Sequence, residues 1–563
     1  MPIFRPICLG LVCLIISGCA RAQTTTQTPP LVSTTPSTTP AFIASTSNLP
    51  LRLPGPAVRT KRMDARIEAL KAKNRRLPTF DAYRRMVEIY LQLGLYEEAV
   101  QTHRTQAVMY RQKGLVEAAI IEESRAARYE TSVGLYVDRG FSPQEIKALD
   151  TKQRLEPPVG CYAGAFIDRD EQLKTIFLDE NWHHHRRPED FVRLVGKPHA
   201  SYFAYLRYGD KFPRKWAQHL KAANAIPHLA WEPRNIGAVR DDAYLQNFAK
   251  ECAALDWPIF IRFASEMNGF WTPYHGNPQL YREKFRLVHN VLHRYASKVA
   301  TIWCVSNPPL RNVADYYPGD HGCDWVGVNL YSVPFYDNDP RRPAFLDNPL
   351  ELLDPIYRMY AHKKPIAICE YAASHMAAWD RVRRNDFAID KLSLLYSSLP
   401  LLYPRVKLID WFDMDNLRNA KPGRQLNNYN LTEQPSILQA YRRVVATPWF
   451  LGRATPDSDP AAGDAPPGDD APRLPRPLQA RQAVSGVTRF TIWAKTYVPR
   501  PKVYLKLGNK IVYAGQQPGA HRLDLDMNRH SPGQQPVTVY VYDDRNRFVT
   551  LFSSVVTVRK EPS

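Results

Sequence analysis

Two glutamates stand at the ends of apolar runs. Glu266 follows the run Pro258 to Phe263 and leads into Met267-Asn268-Gly269-Phe270-Trp271. Glu370 follows Ile366-Ala367-Ile368-Cys369. A carboxylate on the tip of a buried strand is where (β/α)-barrel enzymes keep their chemistry. Two such carboxylates across a cavity suit glycoside hydrolysis, and a gap of roughly 5 Å makes one the nucleophile and the other the acid/base. The acid needs a raised pKa and the nucleophile must stay ionised. Strand periodicity predicts that Arg262, Ala264 and Glu266 share one face, and Ile366, Ile368 and Glu370 another. Arg262, one step below its tip, is a cation able to keep Glu370 charged.

The strands that would carry them can be counted along the chain. Short apolar strands are expected at Gly160 to Ile167, Ala200 to Leu206, Ile226 to Trp231, Pro258 to Ala264, Val299 to Val305, Trp325 to Leu330, Pro365 to Cys369 and Lys407 to Phe412. Helical patterns separate them, as at Arg214 to Ala225, Asp242 to Leu255, Leu280 to Ala296 and Asp386 to Ser398. Eight strands alternating with helices predict an α/β fold, a (β/α)8 TIM barrel over residues 157–450. Its fourth and seventh strands, lying opposite, carry Glu266 and Glu370.

The other segments read differently. At 563 residues the chain is too long for one core. Residues 1–19 read as a signal peptide, with Arg5, an apolar run from Leu9 to Ile16, then Ser17-Gly18-Cys19. This resembles the lipobox of bacterial lipoproteins, which implies a lipid on Cys19, membrane attachment and, in a two-membrane cell, the outer membrane or cell surface. Residues 20–58 are a Thr- and Pro-rich tether. Residues 59–150 read as helical: Tyr90 to Ala99 returns in altered form as Tyr110 to Ala119, and Gly134-Leu135 echoes it. The segment resembles tetratricopeptide hairpins, and serves either as a spacer on the barrel or as a dock for a protein partner. Residues 451–480 are a Pro- and Asp-rich linker. Residues 481–563 alternate at period two and predict a β-sandwich, which is either structural, as such appended sandwiches more often are, or binds sugar through Trp493, Tyr497 or Tyr504.

Composition narrows the classes further. Hydrophobic residues make up 44% and the net charge is +20, so the chain is globular and basic. No nucleic-acid motif and no single basic stripe appear, which leaves a solvated basic surface, or anionic lipid or an acidic polysaccharide as partner. Cys161, Cys252, Cys304, Cys323 and Cys369 are odd in number and irregular in spacing, which reads as buried thiols and not as a disulfide framework. His183-His184-His185 reads as a solvated loop, and no metal or other cofactor is expected.

Several of these stretches together resemble glycoside hydrolase family 26. Arg262 to Trp271 resembles its acid/base motif, and Ala230-Trp231-Glu232-Pro233 its third-strand tip. Trp303 to Pro308 resembles its fifth strand, Tyr316 to Asp320 and Asp324 to Tyr331 the approach to and body of its sixth, and Lys364 to Glu370 its nucleophile strand. The resemblance covers about half the chain. It implies Glu266 as acid/base and Glu370 as nucleophile, with Tyr331 bonded to the nucleophile. It also implies Trp231, Trp271 and Trp411 as platforms for sugar faces, with Arg262, Ser265 and Asn268 supporting. The family cuts chiefly β-1,4-mannans, and some members cut glucans or xylans. One position departs: Ser265 stands where the family carries histidine and its relatives asparagine. Serine reaches less far and carries no charge, which bears on which sugar is held more than on whether a bond is cut.

The expectation is a lipid-anchored, endo-acting retaining glycosidase acting on a β-linked polysaccharide. The alternative is a non-catalytic polysaccharide-binding lipoprotein on a degenerate barrel, whose helical segment docks an envelope machine for polysaccharide export or modification. The two differ at the cleft: an enzyme shows both carboxylates in an open cleft lined by Trp231, Trp271 and Trp411, and a binder has the cleft filled or Glu266 locked in a salt bridge.

Overall fold

The computed structural model describes residues 61–560 except 77, 346, 455–473, 497 and 499. Cys19 and the tether lie outside the described residues, as do most of the second linker and Tyr497. Eight parallel strands follow in chain order: β1 (Cys161–Phe166), β2 (Ser201–Arg207), β3 (Ile226–Glu232), β4 (Ile259–Phe263), β5 (Val299–Ser306), β6 (Trp325–Ser332), β7 (Ile366–Ala373) and β8 (Val406–Phe412). β8 pairs back onto β1, Leu408 opposite Tyr162 and Phe412 opposite Phe166, and the ring closes as a (β/α)8 barrel. β1, β4, β5, β7 and β8 are buried at every residue, as strands covered on both faces must be. Some of the intervening helices start on side-chain caps. Asp242 accepts from the Leu245 amide ahead of Ala243–Leu255, and Asn277 accepts from the Leu280 amide ahead of Pro278–Tyr295.

Inside the ring, a lower layer of Tyr162, Phe260, Ile302, Cys304, Trp325, Ala367, Cys369 and Leu408 packs tightly. Above it His228 on β3 bonds Asp410 on β8 at 2.8 Å, both without solvent exposure. Asp410 fits only because residue 164 is glycine: a Cβ there would lie 1.7 Å from Asp410 Oδ1. The five described cysteines are all free and buried.

The flanking segments correct the expected boundaries. Four helices, α1 (Lys61–Arg76), α2 (Phe80–Gln92), α3 (Tyr96–Gln112) and α4 (Val116–Tyr129), form the helical part. α4 lies on the barrel helix Pro349–Tyr360, where Arg128 pairs with Asp347 at 2.9 Å. The helical reading fails between Tyr129 and Pro143, after which Pro143–Leu149 is helical again. Ser132–Arg139 is a strand, Gly134-Leu135 included, held between Leu474–Pro477 and Val487–Lys495 in a four-stranded sheet. That sheet and a five-stranded one enclose a separate apolar core that includes Leu135 and Val137. The sandwich therefore starts within the expected linker and takes one strand from before the barrel. Leu135 and Val137 alternate with Tyr136, a period-two signal outweighed in the sequence by the repeat-like glycine. Trp493 is not a sugar contact: it is buried, and its indole donates to Ser398 Oγ of the barrel helix Asn385–Leu402 at 2.9 Å.

Candidate active site

β4 ends at Phe263, and the chain then turns sharply. Ala264 and Glu266 adopt φ of +47° and +60°, left-handed values that residues with a Cβ seldom take. Glu266 is held there by its amide, which donates to the Cys304 carbonyl of β5 at 2.9 Å. Its carboxylate accepts from Asn329 Nδ2 at 2.9 Å and from Trp271 Nε1 at 2.7 Å. The indole of Trp271 folds back over Gly269, where a Cβ would lie 2.3 Å from the ring. Burial raises the pKa of Glu266 above the ordinary carboxylate range, and repulsion from Glu370 adds to it. Glu266 makes no ion pair among the described residues.

Glu370 reaches the same space by a different device. On β7, Ala367 and Cys369 face the barrel interior while Ile366 and Ile368 face the helices. Simple alternation would turn Glu370 outward. A bulge intervenes: Ile368 is opposite Val328 and Glu370 is opposite Asn329, one extra residue on β7. The expected common face of Ile366, Ile368 and Glu370 is thus corrected, and so is that of Arg262, Ala264 and Glu266, which the turn at Ala264 interrupts. Glu370 accepts from Arg262 Nη2 at 2.6 Å, from the Tyr205 hydroxyl at 2.6 Å and from the Tyr331 hydroxyl. Three donors suit a carboxylate that only accepts. Arg262 is fully buried, its plane 5.1 Å over the Phe203 ring, and its Nη1 donates to Asn329 Oδ1 at 3.0 Å. Asn329 thus joins the two glutamates, with Glu266, Asn329, Arg262 and Glu370 forming one chain of hydrogen bonds.

The remaining expected residues divide. Ser265 is buried and its hydroxyl donates to Glu232 at the β3 tip, where the Tyr274 hydroxyl also donates. Burial raises the pKa of Glu232 too. Asn268 is buried and turned to β5, donating to the Ser306 carbonyl at 2.8 Å and accepting from its amide at 2.9 Å, so it fixes the loop. Trp231 and Trp411 are not platforms, because both are fully buried in the helix layer. Trp231 stacks on Phe248 at 4.0 Å, and Trp411 lies between Tyr371 and Tyr441. Each is one residue from an inward polar group, Glu232 or Asp410, so alternation sends it outward. Three residues of the site lacked an assigned part in the sequence reading: Tyr205, Asn329 and Glu232. Asn329 carried a signal, a polar residue two before Tyr331 on an apolar strand.

An open cavity of about 640 Å³ adjoins the pair, walled in part by Tyr205 and Glu232, with the exposed Trp182 also in its lining. Away from it, His289 and His293 on one helix face meet Asp324. His293 Nε2 is 2.9 Å and His289 Nδ1 3.9 Å from Asp324 Oδ2, a donor set of the kind that holds a divalent cation. Two of the three atoms already bond Thr301: His289 Nδ1 lies 2.7 Å from its hydroxyl, and Asp324 Oδ2 accepts from its amide at 2.7 Å.

Comparison with known proteins gives a partial match. The sequence model for Glycosyl hydrolase family 26 matches residues 234–344, a span that contains Glu266 and Asn329 and stops before Glu370. Endoglucanase H of Acetivibrio thermocellus is 21% identical over 280 residues, 46% of this chain and 28% of that protein. A β-1,3-xylanase of an Alcaligenes species is 24% identical over 106 residues, 18% of this chain and 22% of that protein. The chain therefore spans about a quarter of the length of these relatives. Among solved structures, a modular endo-β-1,4-mannanase from Cellulomonas fimi aligns over 73% of this chain and 97% of its own, with 15% identity and a TM-score of 0.39. A family 26 β-mannanase from Bacteroides ovatus aligns over 55% and 94%, with 14% identity and a TM-score of 0.37.

Proposed function

We propose that this protein is a retaining, endo-acting glycoside hydrolase of the family 26 type, acting on a β-linked polysaccharide. The observation that carries the reading is the unequal treatment of two linked carboxylates. Glu370 is surrounded by a guanidinium and two hydroxyls, as an ionised nucleophile requires. Glu266 is pushed toward its protonated form by burial and by that same negative charge, as a general acid requires. In the first step Glu266 gives its proton to the glycosidic oxygen as the bond to the anomeric carbon breaks. Glu370 attacks that carbon and forms a glycosyl ester. In the second step Glu266, now ionised, takes a proton from water, the water oxygen displaces Glu370, and the anomeric configuration is restored. Glu266's lack of an ion pair among the described residues favours this over a binding role.

Glu370→Ala is expected to abolish cleavage in a screen of mannans, glucans, xylans and acidic polysaccharides, with the circular dichroism of the parent retained. Unchanged turnover in that variant would remove the nucleophile assignment. Proton NMR of the first product reports configuration, and inversion would contradict double displacement. Attachment to the bacterial envelope through a lipid on Cys19 belongs to the same proposal, and Cys19→Ala should release the protein from membranes.

A further inference from the structure

The cavity beside the two carboxylates has a charge pattern that a neutral glycan does not call for. Neither glutamate is in its wall, but both are one contact away: Tyr205 in the wall donates to Glu370, and Glu232 in the wall accepts from Ser265 next to Glu266. Two acidic side chains line it, and both are already engaged. Asp168 faces His185 Nδ1 at 2.9 Å and accepts from the Arg186 amide at 3.2 Å. Glu232 is occupied by the hydroxyls of Ser265 and Tyr274. Among the basic side chains, His185 in the same wall is engaged with Asp168 and Asp179, whereas the arginines and the lysine are not. Arg169, Arg207 and Lys421 line the cavity, are exposed, and make no ion pair and no side-chain hydrogen bond among the described residues.

These three cations come from separate parts of the chain, the loop after β1, the tip of β2 and the segment after β8. They meet only because the barrel brings those ends to one mouth. Some basic side chains elsewhere do find carboxylates, near or far in the chain. Arg500 forks onto Asp390 at 2.6 and 2.9 Å, and Arg139 onto Glu145 at 3.0 Å. At the rim Trp182 is 80% exposed, a large apolar face turned to water. An indole stacks on the apolar side of a sugar ring, and a guanidinium presents a fork that matches a carboxylate.

We infer that the polysaccharide this cleft takes is anionic, a β-linked chain carrying carboxylates that meet Arg169, Arg207 and Lys421 while a ring packs on Trp182. The inference rests on the hydrolase reading for its site and adds the class of substrate. The carboxylate can belong to the ring, as in a uronic acid, or to an appended acidic group, and the two sources are separable by probe.

The test is binding by the full-length Glu370→Gln variant, which does not turn substrate over. The probes are glucuronoxylan against its carboxyl-reduced form, and carboxymethyl cellulose against hydroxyethyl cellulose. A single-stranded oligodeoxynucleotide serves as a polyanion without sugar-ring carboxylates. The native acidic polymers should bind roughly tenfold more tightly than their neutral counterparts at low salt, the scale of three exposed charge pairs. About 0.5 M salt should erase most of that difference. Arg169→Gln, Arg207→Gln and Lys421→Gln together should remove it while the melting curve is unchanged. Preference for glucuronoxylan alone assigns ring carboxylates, and preference for carboxymethyl cellulose alone assigns appended ones. Equal binding of acidic and neutral polymers would overturn the inference, as would full preference in the triple variant or an oligonucleotide bound as tightly as the acidic glycans. Wild-type cleavage of neutral polymers only would also overturn it and leave the hydrolase reading standing. Charge-dependent binding with no cleavage by the wild type would do the reverse.

Discussion

Glu266 owes its proposed acid role to its surroundings, and that makes its behaviour predictable. Its pKa lies above the usual carboxylate range, so the acid form persists to higher pH than an exposed glutamate would allow. The rate should therefore fall as pH rises through that value, giving the alkaline limb of a bell-shaped profile. Glu266→Gln should lower kcat by roughly 10²–10⁴-fold and flatten that limb. Glu370→Gln removes the neighbouring charge, so the Glu266 carboxyl should titrate at lower pH than in the parent, as isotope-edited infrared or carbon NMR would read. A Glu266 titration unmoved by that change would mean the two groups are not electrostatically linked. Both glutamates and Arg262 were legible as strand-tip residues. The link between them was not, because Asn329 is brought between Arg262 and Glu266 only when β5 pairs with both β4 and β6.

The elements set these side chains through irregularities as much as through regular strands. The turn after β4 holds two left-handed residues and a glycine covered by an indole. Gly269→Ala should push Trp271 off Glu266 and remove a hydrogen bond that favours the ionised form. The expected result is a kcat lower by roughly tenfold, the scale of one lost bond to a charged group, with an alkaline limb moved upward in pH. An unchanged profile would mean that Trp271 does not tune the acid. On β3 and β8, regular alternation takes Trp231 and Trp411 to the helix layer, where they pack and cannot meet sugar. Alternation around Glu232 and Asp410 was enough to read that outcome, and family resemblance pointed the other way.

The whole molecule is stitched across its length. Ser132–Arg139 leaves α4, crosses into the sandwich, and lies between two strands more than 330 residues later. Arg500 and Trp493 then hold the sandwich against the barrel helix Asn385–Leu402. A chain begun at residue 141 would leave Leu474–Pro477 unpaired and open an edge on Val487–Lys495, while one begun at residue 130 would keep the strand. Limited proteolysis should therefore cut the C-terminal region of the first and spare that of the second. Equal protection would show the sandwich stable without its borrowed strand.

The sequence by itself determined the eight strands, their order, the barrel they close into and the two glutamates near the tips of the fourth and seventh. It could do so because buried parallel strands are continuous apolar runs and polar residues interrupt them visibly. Tertiary structure alone decided three further matters. It re-aimed Glu370 through a bulge, since one extra residue on β7 can be counted only against its partner β6. It lent Ser132–Arg139 to the sandwich, since pairing across so long a separation has no local signature. It also gathered Arg169, Arg207 and Lys421 at one mouth, since their convergence depends on ring closure between β8 and β1.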